Sequence, residues 1–167
     1  MCNIVKIINL IDGINKLSKY FVVIFTCSMV ISLSLQIISR FIPWYSPSWS
    51  GELARFSMIY AVFIASSLAL RKQELLAVEV IKDNIPERVQ NLLIIIINLI
   101  SLLFFIILIV KGIDLILKVK TQLAPSLQVS MSIPYASIPV GGFLLAINSL
   151  AVIIEKILNI NNDVSIR

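Results

Sequence analysis

Apolar residues along this chain fall into four long runs separated by short polar stretches, and each run approaches the roughly 20 residues that cross a bilayer as a helix. The first occupies residues 20–38, behind a polar segment carrying Lys6, Lys16 and Lys19, and ends at Arg40. The second runs from about 51 to 70. The third, 89–110, is nearly all Ile, Leu and Phe. Lys111, Asp114 and Lys118 then recur at helical spacing, so that helix is expected to continue toward Lys120. The fourth run covers about 133–154. The pattern therefore predicts an all-α membrane protein, a single membrane domain over 1–167 with helices at about 20–39, 51–70, 88–118 and 133–155.

The breaks between runs carry their own signals. Pro43-Trp44-Tyr45-Ser46-Pro47-Ser48-Trp49 combines two helix breakers with rings that favour the membrane interface, and predicts an interfacial segment before helix two. Ser48 or Ser50 is placed to cap that helix, with Glu52 in its first turn set against the helix dipole. After Leu70 comes the most charged stretch, from Arg71, Lys72 and Glu74 through Glu79, Lys82, Asp83, Glu87 and Arg88. Leu75, Leu76, Val78, Val80 and Ile81 are interspersed in it, which predicts a charged amphipathic loop on the membrane surface, with Pro86 opening helix three. Helix four opens with Ser132-Ile133-Pro134-Tyr135 and holds Pro139, Gly141 and Gly142, a combination that bends a helix and permits close backbone approach. A discontinuous ligand-binding helix is the sharper alternative, although no partner half-helix accompanies it.

Composition changes the picture only by hardening it. Of the 167 residues, 59% are hydrophobic and 14% charged, with a mean hydropathy of +0.99, so lipid and not water is the solvent for most of the surface. The net charge of +5 forms no basic stripe with interleaved aromatics, and nucleic acid is not an expected partner. Its cations instead record orientation. With both termini cytoplasmic, nine Lys and Arg residues fall inside and four outside, Arg55 being within a helix, so a multi-pass protein with N- and C-termini in the cytoplasm is expected.

Candidate chemistry is sparse. The chain has no histidine and two unpaired-looking cysteines, Cys2 and Cys27, which argues against haem, His-bound zinc or a disulfide framework. No GxxxxGK, GxSxG or HExxH motif is present, so neither ATP chemistry nor a hydrolase is expected, and no cofactor or metal is called for. Glu52 and Arg55 stand three apart, close enough to pair on one helical face, either as an ion or substrate site or as a structural pair. The interior polar residues of the runs are Ser, Thr, Gln and Asn, such as Gln36, Asn98 and Asn148, and helix-to-helix hydrogen bonding is the expected use of such groups.

Three motifs, in order, resemble the small membrane subunit of TRAP (tripartite ATP-independent periplasmic) transporters: Trp49-Ser50-Gly51-Glu52-Leu53-Ala54-Arg55, Leu68-Ala69-Leu70-Arg71-Lys72-Gln73-Glu74 and Ile85-Pro86-Glu87-Arg88. Pro125-Ser126-Leu127 and Tyr135-Ala136-Ser137-Ile138-Pro139-Val140-Gly141 extend the likeness, which covers most of residues 20–155. The sequence departs from the pattern at Leu75, where the family commonly has His, and at Glu79, where it commonly has Asp. The familiar Gly of helix two is replaced around Ala65 and Ser66.

The resemblance implies a bacterial inner-membrane, secondary transporter driven by an ion gradient, usually sodium, that takes up an organic acid: a dicarboxylate, sialic acid or another sugar acid. The partners it implies are a large membrane subunit, a periplasmic solute-binding protein and membrane lipids. This chain would scaffold the large subunit, touching it through Trp49, Glu52, Arg55, Tyr135 and Pro139, with Arg71, Lys72, Glu74 and Glu79 at the cytoplasmic surface. The rival reading is a stand-alone homo-oligomeric small exporter. Proteins of that kind carry a membrane-buried Glu in helix one, and none lies between residues 20 and 38 here.

Overall fold

The computed structural model describes residues 2–41, 47–72 and 87–165, and these are almost wholly helical. Helix α1 spans Cys2–Ser39, α2 Ser48–Arg71, α3 Glu87–Val119, the short α4 Ser132–Tyr135 and α5 Ser137–Ser165. Four of them contain stretches long and apolar enough to cross a membrane: Leu10–Ser39, Ser48–Arg71, Val89–Val119 and Ser132–Ile157. The expected interfacial segment falls mostly at 42–46, and the charged loop, with Glu74 and Glu79, at 73–86; both lie outside the described residues.

The helices form an open row, not a closed bundle. Helix α1 packs on α2, α2 on α5, and α5 on α3, so α2 and α5 are internal and α1 and α3 are the edges. Burial follows that order: 44% of the most apolar window is buried in α5 and 28% in α2, against 17% in α3 and 6% in α1. A layer one helix thick leaves two broad faces and two edges apolar and exposed, which only lipid or another protein can solvate.

Helix α1 starts well before residue 20, where the apolar run suggested it would. Ile11, Asn15 and Ser18 are all buried, and their spacing of four then three residues puts them on one helical face. Two of the three are polar, so a hydropathy reading took the segment for a flank, while packing against α2 and α5 makes it helix. Over 38 residues, α1 is about 57 Å long, far more than the bilayer core of roughly 30 Å.

The fourth run divides at Ala136. Pro139 has no N–H to offer the Tyr135 carbonyl and its ring crowds that group, so the ladder is interrupted there. The Ser137 hydroxyl donates to the Pro134 carbonyl at 2.6 Å across the break. Beyond it the two glycines serve different neighbours. A Cβ on Gly141 would lie 2.5 Å from Phe63 Cβ of α2, and one on Gly142 would lie 3.0 Å from Ile109 and Leu108 of α3. Adjacent positions on α5 thus let the helices on both sides approach closely.

Candidate functional site

Polar contacts gather at the two ends of the row and in two layers between. At the end containing the C-terminus of α2, Arg71 joins three helices. Its Nη1 and Nη2 donate to the two Glu155 oxygens of α5 at 2.7 and 2.6 Å, and its Nε donates to Asp12 of α1 at 3.0 Å. A planar guanidinium suits such a fork, and it supplies the cation that two carboxylates from neighbouring helices require. Glu155 and Arg71 are half-buried and Asp12 is open to solvent, so the bidentate arm carries most of the energy.

One layer inward, Asn15 and Asn148 exchange side-chain hydrogen bonds of 2.7 and 3.0 Å, and Asn148 also donates to the Ser67 carbonyl at 3.0 Å. Helices α1, α2 and α5 meet again here. On the other side of α5, the Ser149 hydroxyl donates to the Asn98 carbonyl at 3.0 Å, while Asn98 donates to Ile94 of its own helix. Consecutive residues Asn148 and Ser149 therefore bind opposite neighbours, repeating in hydrogen bonds what Gly141 and Gly142 do in packing. In an apolar solvent each such bond contributes on the order of 0.6 kcal/mol, up to about 1.7. The expected helix-to-helix use of Asn98 and Asn148 is what the structure shows. The Gln36 side chain instead lies over Gly51 and makes no hydrogen bond among the described residues.

At the opposite end, Glu52 does not pair with Arg55. Its carboxylate oxygens accept hydrogen bonds from the backbone N–H groups of Ser126 and Leu127 at 3.0 and 2.9 Å, capturing the tip of the loop between α3 and α4. That loop is a tight hairpin-like return. Leu123 and Ser130 form an isolated β-bridge, Gln128 adopts a positive φ of 54°, and Ala124 is fully buried beneath the tip. Tyr60 adds a second tie, donating to the Ile133 carbonyl at 2.6 Å. The expected cap is also different. Helix α2 begins at Ser48 with no side-chain cap, and the Ser50 hydroxyl donates to the Pro47 carbonyl at 2.8 Å. With the helix starting earlier, Glu52 lies beyond its first turn, free to reach the loop.

Arg55 is exposed and forms no hydrogen bond or ion pair among the described residues; it borders a groove with Met29, Leu33, Gln36 and Met58. Trp49, also exposed, borders a different groove with Val23, Cys27, Ile31 and Leu53. Trp49, Leu53, Tyr60 and Ile64 recur every four or seven residues on one side of α2. Met58 is two and a half turns from Trp49 and belongs to the other side, with Arg55. Phe25 stacks on Tyr60 with ring centroids 5.1 Å apart, and Phe21 on Phe25 at 6.4 Å, so the Trp49 side is also the aromatic one. Tyr135 and Pro139 are half-buried, Pro139 against Gly112 of α3. The candidate residues are thus divided between two faces and a loop tie, and do not converge on one pocket. Sequence spacing missed Asp12 and Glu155 as the partners of Arg71, because they are 59 and 84 residues away from it.

An open layer of four spanning helices, tied through asparagines and one arginine fork and bare on both broad faces, defines a multi-pass membrane component shaped for packing. The chain belongs to the DctQ family, the DctQ components of tripartite ATP-independent periplasmic transporters, whose family model matches residues 29–159. It is similar to the isethionate TRAP transporter permease protein DctMQ of Oleidesulfovibrio alaskensis, with 29% identity over 140 residues, covering 79% of this chain and 22% of that protein. The chain therefore spans about a fifth of that relative's length.

Proposed function

We propose that this chain is the small membrane subunit of a secondary transporter of the inner membrane, and that it scaffolds a large transport subunit without itself forming the solute pathway. The observation that carries this reading is the open row. Its broad faces are apolar, and residues 20–38, 56–70, 89–110 and 137–154 contain no Asp, Glu, Lys, Arg or His where a coupled pathway would need a charged group. Membership of the DctQ family supports the tripartite arrangement, and the joint DctM and DctQ naming of the relative supports a large membrane partner.

The face carrying Trp49, Leu53, Phe25 and Tyr60 is the one we assign to that partner. Aromatic rings bring large contact area with few rotatable bonds. Arg55 is on the other side of α2, so one flat partner surface does not take both; Glu52 acts through the loop that it holds. Tyr135 and Pro139 contribute by shaping the end of the layer beside that loop. Uptake of an organic acid delivered by a periplasmic binding protein, driven by a sodium or other ion gradient, completes the proposal. The isethionate in the relative's name, a small organic anion, is consistent with that substrate class. The distribution of Lys and Arg supports placing both termini on the cytoplasmic side.

The test is to tag the chain in its native membrane, extract it in mild detergent and identify the co-purifying proteins. A near-equimolar, larger polytopic protein, with its yield reduced several-fold by Trp49→Ala, is expected. A homogeneous assembly of this chain alone would overturn the subunit reading in favour of the homo-oligomeric exporter.

A further inference from the structure

A cavity of about 440 Å³ opens between α1 and α2 beside the Arg71 fork, and it is lined by Asp12, Lys16, Lys19, Arg71 and Lys72. Arg71 is matched by Asp12 within the cavity and by Glu155 beside it, so the charge on offer to a ligand is that of Lys16 and Lys19. Lys16 and Lys19 are exposed and make no hydrogen bond or ion pair among the described residues. Their spacing of three residues places both ammonium groups on the same side of α1.

Depth adds the second constraint. Lys19 immediately precedes the apolar run of α1, so it stands at the hydrocarbon boundary, and Lys16 is about one turn further out. Phospholipid phosphates occupy this level. On α2 the cavity wall is Ala65 and Ala69, whose small side chains open the space beside Lys16 and Lys19, and hydrocarbon begins just inward of Lys19. The ligand that fits is anionic at one end and apolar at the other.

We infer that this cavity is a binding site for an acidic phospholipid, whose phosphate is held by Lys16 and Lys19 beside Ala65 and Ala69 and whose acyl chains enter the bilayer inward of Lys19. Basic pockets between spanning helices on the cytoplasmic side are the recurrent form of such sites. The site lies on the side of α2 away from Trp49, the side we leave to lipid. The face assignment is judged by which protein co-purifies, and the lipid site by which lipid does, so one can fail without the other.

The chain is purified in mild detergent with whatever accompanies it, and its bound lipids are identified by mass spectrometry. The preparation is then titrated with phosphatidylglycerol and, separately, with zwitterionic phosphatidylethanolamine. Phosphatidylglycerol should be enriched over its share of the membrane, and Lys16→Gln/Lys19→Gln should bind it about 30-fold more weakly, since each cation near the surface contributes roughly tenfold or somewhat less. Lys16→Arg/Lys19→Arg should retain binding, and so should Arg40→Gln, which removes an exposed cation at the far end of α1. Glycerol phosphate should not compete. The inference is overturned if phosphatidylglycerol is not enriched, because a protein partner or nothing then covers the cavity. It also fails if the double Gln variant or phosphatidylethanolamine binds as well as wild type with phosphatidylglycerol, if Arg40→Gln loses as much, or if glycerol phosphate displaces the lipid, which would mark a site for soluble anions.

Discussion

Gly141→Ala adds a single carbon at the tightest point of the helix layer. Its Cβ would lie 2.5 Å from Phe63 Cβ and 2.8 Å from two further atoms of that side chain, whereas unstrained carbon atoms sit about 3.5 Å apart or more. The nearest atom is the Cβ of Phe63, fixed to its backbone, so a rotamer change does not remove the clash; α2 and α5 must separate by about 1 Å. Because α2 to α5 is the central contact of the row, the separation also stretches the bonds of Asn148 to Asn15 and to the Ser67 carbonyl. Overpacking of this kind costs about 1–3 kcal/mol, and a lost interhelical hydrogen bond roughly another 0.6.

Two controls share the chemistry and differ in space. At Gly142 the added atom meets Cγ1 of Ile109 and the terminal Cδ2 of Leu108 at 3.0 Å, a contact that a shift of a few tenths of an ångström relieves, so a cost of about 1 kcal/mol or less is expected. At Gly13 nothing lies within 4 Å, and Ala should stabilise α1 by up to about 1 kcal/mol through helix propensity. Thermal unfolding of the three variants in one detergent should rank Gly141→Ala lowest, Gly142→Ala near wild type and Gly13→Ala highest. Equal stability of Gly141→Ala and Gly142→Ala would refute the close approach of α2 and α5.

Two further outcomes follow from the ends of the layer. Glu155→Gln should destabilise the fold by about 1–3 kcal/mol and more than Asp12→Asn, since Glu155 accepts two of the three bonds and is the less exposed carboxylate; the reverse order in denaturant-free melting would show that the fork does not bear the load. Glu52→Gln leaves a single acceptor oxygen for the two amides of Ser126 and Leu127, so hydrogen exchange at 124–130 should rise several-fold while exchange in the spans stays unchanged; unaltered exchange in that loop would mean that other contacts hold it.

The four spans were legible because lipid as solvent makes their run length decisive, as at 89–110, where nearly every residue is apolar. Interruptions caused by local chemistry were legible in part: Pro139 announced a bend, though not that the break would fall at Ala136. What the sequence could not give was pairing between helices. Glu52 and Arg55 look like a pair at a spacing of three, yet Glu52 is satisfied by amides 74 and 75 residues on. The start of α1 was hidden for a related reason. Asn15 and Ser18 read as polar flank, but in a layer joined by hydrogen bonds a buried asparagine is an adhesive, and its partner Asn148 is 133 residues away.

The placement of those adhesives also bears on why the layer stays open. Between apolar helices in lipid no hydrophobic term favours association, so contacts are set by small residues and by polar groups that need partners. Here each such group points along the row. Asn15, Ser67 and Asn148 join α1, α2 and α5, Ser149 and Asn98 join α5 and α3, and Gly141 and Gly142 narrow the same two contacts. Toward the broad faces the side chains are Phe21, Val23, Ile24, Met58, Leu103 and Ile107, which bind lipid and protein about equally well. Nothing in such a surface drives the row to curl and bury α1 against α3. The fold is held flat from within, and a partner that docks on one face must supply the small-residue contacts or hydrogen bonds that make protein preferable to lipid. Along the Trp49 side the group best placed to answer it is the exposed indole of Trp49, with the half-buried hydroxyl of Ser28, which accepts from Ser57 and keeps its own proton to donate, bordering the same groove.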